Sequence, residues 1–132
     1  MSHWTETDVF RVVSMAKLLI VDDSYFMRVV IRGILKSRNH TVVEATDGNE
    51  AVEVYRREKP DVVTMDITMP NKDGIDAAHE ILAEDPSAKI VMVSALGQEA
   101  LTKKIAEAGV SDFLVKPFDP EQVLEVVDRL LD

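Results

Sequence analysis

The chain contains no cysteine and, among its 132 residues, only one tryptophan, two tyrosines and four phenylalanines. Without cysteine there is no disulfide framework and no thiolate metal site, which suits the cytosol. Any metal must be held by oxygen or histidine. Basic residues are scarce: 15 Lys and Arg stand against 24 Asp and Glu, giving a formal net charge of −9 and a pI near 4.8. That surplus repels a phosphate backbone or an anionic bilayer, so nucleic acid and membrane are not expected partners and proteins are. Long apolar runs are missing too, and residues 1–14 carry Glu6 and Asp8 where a signal peptide would need a basic and then an apolar stretch. A cytoplasmic protein is the expectation. The three histidines, His3, His40 and His79, share no spacing suggestive of a metal site, and two of them are expected at the surface.

What the chain does have is 46% hydrophobic residues, enough for one sizeable core in a single domain. Residues 1–14 (MSHWTETDVFRVVS) read as a flexible tail, with Trp4 exposed on it, and 15–132 as the domain. From Lys17 onward, short β-branched runs alternate with helical patterns: KLLIV at 17–21, TVVEAT at 41–46, DVVTM at 61–65, KIVMV at 89–93 and DFLV at 112–115. The alternation predicts an α/β fold with a parallel sheet. KLLIV and KIVMV are apolar almost throughout, as strands covered on both faces should be. Between them, apolar residues recur at helical spacing, and three sets are expected to face the core: Phe26, Val29, Val30 and Ile34; Ala51, Val54 and Tyr55; Val123, Val126, Val127, Leu130 and Leu131. Ser24 can cap the first helix, Asp47-Gly48 reads as a turn pair, Lys59-Pro60 and Asp85-Pro86 end the second and third helices, and Gly109 follows the fourth.

In an open parallel sheet, ligands bind beyond the carboxyl ends of the strands. There the sequence puts Asp22, Asp23 and Ser24 after the first strand, Asp66, Ile67 and Thr68 after the third, Ser94 and Ala95 after the fourth, and Lys116 and Pro117 after the fifth. Any one of these alone reads as a loop residue or a cap. Three carboxylates, a hydroxyl and an ammonium at the same end of successive strands point to chemistry. Clustered carboxylates repel one another unless a cation lies between them, and a hard divalent ion such as Mg²⁺ takes one or two of them and leaves positions for phosphate oxygens. An ionised aspartate needs no general base to attack phosphorus, and Lys116 can neutralise the transferred group while Ser94 donates a hydrogen bond to it.

LLIVDDS, DVVTMDITMPNKDG, IVMVSALGQE and FLVKPF together resemble the signature segments of CheY-like response-regulator receivers, over nearly all of 15–132. The resemblance implies a flavodoxin-like domain with strand order 2-1-3-4-5. It implies Asp66 as phosphoacceptor, Mg²⁺ on Asp23, Asp66 and the Thr68 backbone carbonyl with Asp22 acting through a metal-bound water, and Lys116 bridging to the phosphoryl group. Ser94 and Phe113 would form the switch, the hydroxyl moving toward the phosphoryl group and the aromatic ring turning inward behind it. Phe113 stands where familiar chemotaxis members have Tyr, so a contact through a phenolic hydroxyl is absent; Thr68 stands where Asn is frequent, and the resemblance ties that position to an altered phosphoryl lifetime. A cis peptide before Pro117 also follows from the resemblance. The implied partners are a histidine kinase of the CheA type and a motor switch protein or adaptor reading residues 98–131, where Lys103 and Lys104 lie, with a phosphatase as a further candidate; the family norm is a monomer. A receiver excised from a transcription factor or regulated enzyme is the second reading. A haloacid-dehalogenase-type phosphatase would need a second Asp where Thr68 stands, and a flavin-binding domain would need hydroxyl and amide donors where Asp22 and Asp23 stand.

Overall fold

The computed structural model describes residues 15–95 and 97–132; the segment 1–14, with His3 and Trp4, lies outside the described residues. Five strands alternate with five helices: β1 (Lys17–Val21), α1 (Tyr25–Lys36), β2 (Thr41–Ala45), α2 (Gly48–Glu58), β3 (Val62–Asp66), α3 (Gly74–Glu84), β4 (Ile90–Ala95), α4 (Thr102–Glu107), β5 (Asp112–Lys116) and α5 (Pro120–Leu131). A single 3₁₀ turn, Glu99–Leu101, leads into the short α4. The sheet is parallel throughout, in the order β2-β1-β3-β4-β5. All five predicted strands are present, and β4 and β5 run further toward their carboxyl ends than the apolar runs alone indicate.

Alternate residues of the buried strands feed two cores. Leu19, Val21, Val63, Met65, Ile90 and Met92 pack against α2, α3 and Ile105 of α4 on one face. On the other, Leu18, Ile20, Val62, Val91 and Leu114 meet Ile31 and Leu35 of α1 and Val123, Val126 and Val127 of α5. This two-faced burial is why the central strands contain so little polar sequence.

Two local expectations are corrected, and the place of His40 is settled. In α1 the buried pair is Ile31 and Leu35, flanked by Met27 and Ile34, whereas Phe26 is 71% exposed and Val29 36%. Apolar residues occupy more than one face of this helix, and the sheet accepts the 27, 31, 34, 35 stripe. Asp47-Gly48 is a helix start and not a free turn: Asp47 caps α2 by accepting from the Glu50 N–H at 2.8 Å, and Gly48 is its first residue. His40 is buried, with Nδ1 accepting from the Ala16 N–H at 3.3 Å, and burial holds its pKa below the ordinary value.

Ser24 and Lys59-Pro60 act as the sequence suggests, and α5 adds a cap of its own. Ser24 Oγ accepts from the Met27 N–H at 3.2 Å, and α2 ends on Lys59 in the left-handed region (φ 47°) before Pro60. α5 opens on Asp119 with Pro120 in its first turn, and Asp119 and Gln122 form a reciprocal capping box.

Candidate functional site

The chain runs from β1 outward to β2 and then back across to β3, so β1 and β3 are neighbours whose connections leave in opposite directions. The cleft at their carboxyl ends is where such a sheet receives ligands. Asp22 and Asp23 follow β1, and Asp66 is the last residue of β3. Carboxylate oxygens of these three lie within 4.8 Å of one another. Asp22 is 2% exposed and fixed by its surroundings: Oδ1 accepts from the Ser24 N–H at 2.8 Å, and its carbonyl accepts from Arg28 Nη1 at 2.8 Å. Arg28 is in turn anchored by Glu44 of β2, 3.0 Å away. Asp23 is exposed, at the mouth.

Lys116, at the end of β5, reaches across β4's end to place Nζ 3.2 Å from Asp22 Oδ2 and 3.5 Å from Asp66 Oδ1. One ammonium among three carboxylates leaves the cluster with excess negative charge. Burial first, and then the charge of Asp22, push the Asp66 pKa up to about 6, with Lys116 pulling the other way. A carboxyl group that resists ionisation beside two more hard oxygen donors is a setting a divalent cation relieves, so the donor set fits Mg²⁺. The backbone following Lys116 turns through a cis peptide to Pro117.

Ser94 and Phe113 make no hydrogen bond to the three carboxylates among the described residues. Ser94 is 7% exposed and its Oγ donates to the Leu114 carbonyl of β5, a long bond of 3.4 Å. Phe113 is 44% exposed, outside both cores. Thr68 lies exposed two residues past Asp66, and its Oγ1 accepts from Gln98 Nε2 at 2.8 Å.

Sequence reasoning missed the residues that shape the loop after β3. The Gly74 N–H donates to the Ile67 carbonyl at 2.7 Å, the Gly48 N–H donates to the Lys72 carbonyl at 3.0 Å, and Asn71, with φ 68°, donates to Asp47 Oδ2 at 2.7 Å. A β-carbon on Gly48 would come within 2.4 Å of the Lys72 carbonyl oxygen, so α2 and the loop approach as closely as only glycine permits. The two Asp-Gly pairs at 47–48 and 73–74 were the available signal.

A family model described as the response regulator receiver domain matches residues 18–128. The chain belongs to the receiver family. Over 115 residues, 86% of this receiver and 96% of the relative, it is 50% identical to the chemotaxis protein CheY of Thermotoga maritima. A CheY of Listeria monocytogenes is also 50% identical, over 87% of this receiver and 98% of its own length. Among solved structures, the crystal structure of the CheX-CheY-BeF₃-Mg²⁺ complex from Borrelia burgdorferi superimposes with a TM-score of 0.82 at 39% identity, covering 88% of this receiver and 89% of that chain. The receiver is therefore of the chemotaxis type, and receivers of this type are phosphoacceptor signalling proteins. No helix among the described residues is long and apolar enough to cross a membrane.

Proposed function

We propose that this receiver takes a phosphoryl group onto Asp66 from a histidine kinase of the CheA type, and that the product changes which proteins bind residues 98–131. The observation that carries the reading is the meeting of Asp22, Asp23 and Asp66 with Lys116 at one sheet edge. An Asp66 carboxylate oxygen attacks phosphorus and forms the acyl phosphate, while the bond from phosphorus to the donor nitrogen breaks and the imidazole leaves with the electron pair. Lys116 follows the charge: its Nζ is already within reach of Asp66 and stays beside the new phosphoryl oxygens. Asp23, Asp66 and the Thr68 carbonyl, with Asp22 behind them, would hold Mg²⁺, which would supply neutralisation of the remaining negative charge.

Ser94 is the residue that reports the event. Its hydroxyl has only a 3.4 Å bond to Leu114 to give up, and Phe113 on the same edge strand is exposed and free to repack. A motor switch protein or adaptor would read the new set of α4, β5 and α5, with Lys103 and Lys104 on its border, and a phosphatase would end the signal. Tyr25 and Phe26, 68% and 71% exposed beside Asp23, form an apolar surface at the pocket mouth suited to the arriving kinase domain.

Incubation with phosphoramidate and Mg²⁺ followed by peptide mapping tests the acceptor. The expected result is an acyl phosphate on Asp66 that Asp66→Asn does not form; modification elsewhere, or none, removes the reading. Immobilised protein with and without beryllofluoride then tests the output. Capture of a motor switch or adaptor protein only by the activated wild type is expected, and identical partner sets would rule out the switch.

A further inference from the structure

Gln98 lies in the turn between β4 and α4, and both ends of its carboxamide are engaged. Oε1 accepts from the Ala95 backbone N–H at 2.7 Å, and Nε2 donates to Thr68 Oγ1 at 2.8 Å. The backbone reinforces the first link, since the Gln98 N–H donates to the Ala95 carbonyl at 3.2 Å. Local capping accounts for the bond to Ala95, as it does for Gln122, whose Oε1 accepts from the Asp119 N–H at the start of α5. It does not account for the bond to Thr68, 30 residues away in sequence. That bond ties the loop after Asp66 to the loop after Ser94.

The position of the tie matters. β3 and β4 are adjacent, with Asp66 level with Val93, so Ser94 and Ala95 continue β4 past the end of its neighbour. A phosphoryl group on Asp66 would develop charge beside this end of β4, where the donors at hand are the Ser94 hydroxyl and the Ala95 N–H. Both are occupied: the hydroxyl by the Leu114 carbonyl and the N–H by Gln98 Oε1.

We infer that the Gln98 carboxamide is a latch which, by bridging the Ala95 N–H and Thr68 Oγ1, holds the β4–α4 loop in its resting position and so sets the balance between resting and active receiver. The inference rests on the phosphoacceptor reading above. Gln98 is a positioning residue: it acts through Ala95 and Thr68 and touches no reacting atom. Bonds made only in the resting state stabilise that state alone. Their removal raises the competent fraction, and the apparent affinity of any ligand that selects the active state rises by the same factor.

The test titrates beryllofluoride, at saturating Mg²⁺, into the full chain of wild type, Gln98→Ala, Thr68→Val and the double variant, followed by amide NMR. Thr68→Val keeps the backbone carbonyl and removes only the acceptor of the latch. Gln98→Ala is expected to bind roughly tenfold tighter and Thr68→Val about threefold tighter, and the double variant should match Gln98→Ala because both changes break one link. A merely structural role would lower the melting midpoint and weaken binding. Equal or weaker binding by Gln98→Ala overturns the latch, as do fully additive gains in the double variant. If wild type and Asp66→Asn alike bind no beryllofluoride, the phosphoacceptor reading itself fails and the latch with it, which keeps the two failures apart.

Discussion

A β-carbon on Gly74 would stand 1.9 Å from the carbonyl oxygen of Asp66. The first residue of α3 is thus pressed against the last residue of β3, and the Gly74 N–H bond to Ile67 closes the loop between them. Gly74→Ala should force β3 and α3 apart, costing about 2 kcal/mol or more in urea unfolding and weakening Mg²⁺ binding with it. Gly33→Ala, on an exposed turn of α1 with nothing within 4 Å of the added carbon, should instead stabilise by about 0.5–1 kcal/mol.

The raised pKa of Asp66 predicts opposite pH dependences for stability and for metal binding. Between the ordinary 3.8 and about 6, the folded protein holds a proton on Asp66 that the unfolded chain has lost. Metal-free stability from this group therefore declines as pH rises through that window and is level above it. In EDTA, Asp66→Asn should be more stable than wild type by on the order of 2 kcal/mol at neutral pH, with the difference vanishing toward pH 4. Mg²⁺ affinity of the wild type should run the other way, falling as pH drops through 6, because proton and cation compete for one carboxylate. A titration flat from pH 7.5 to 5.5 would refute this.

Thr64 is 3% exposed in the middle of β3, and its hydroxyl has no hydrogen-bond partner among the described residues. Thr64→Val replaces it with a methyl group of the same shape and should raise the stability by about 1 kcal/mol. Chemical denaturation measures it. A loss of similar size would mean that the hydroxyl is satisfied in solution by buried water.

Phe26 separates recognition of a protein donor from the chemistry. Its ring is exposed, so Phe26→Ser should change stability by less than about 0.5 kcal/mol. Phosphorylation by phosphoramidate should proceed at the wild-type rate, whereas transfer from the phosphorylated kinase domain should slow severalfold. Equal slowing with both donors would place Phe26 in the pocket's architecture and not on a docking face.

Much of this molecule was legible in its residues. The positions of the central strands followed from short apolar runs, because a strand buried on both faces has few polar residues to confuse the pattern. The carboxylates and Lys116 followed from their places just after those runs. The face of α1 was misread because Tyr25, Phe26, Val29 and Val30 offer a second apolar stripe, and only packing against the sheet decides between stripes. The contacts of Gln98 and of the two Asp-Gly pairs were missed for another reason: they are made with Thr68, Lys72, Asn71 and the Asp66 carbonyl, and no local spacing encodes such a meeting.

The two cores share no buried side chain, since the sheet stands between them. α4 belongs to one through Ile105 and α5 to the other through Val123, Val126 and Val127, while β5, at the sheet's edge, gives Leu114 to the core of α5. A partner gripping α4, β5 and α5 together straddles a seam. Such a partner would read the fit between the two faces, so a displacement of the β4–α4 side alone would be enough to alter it.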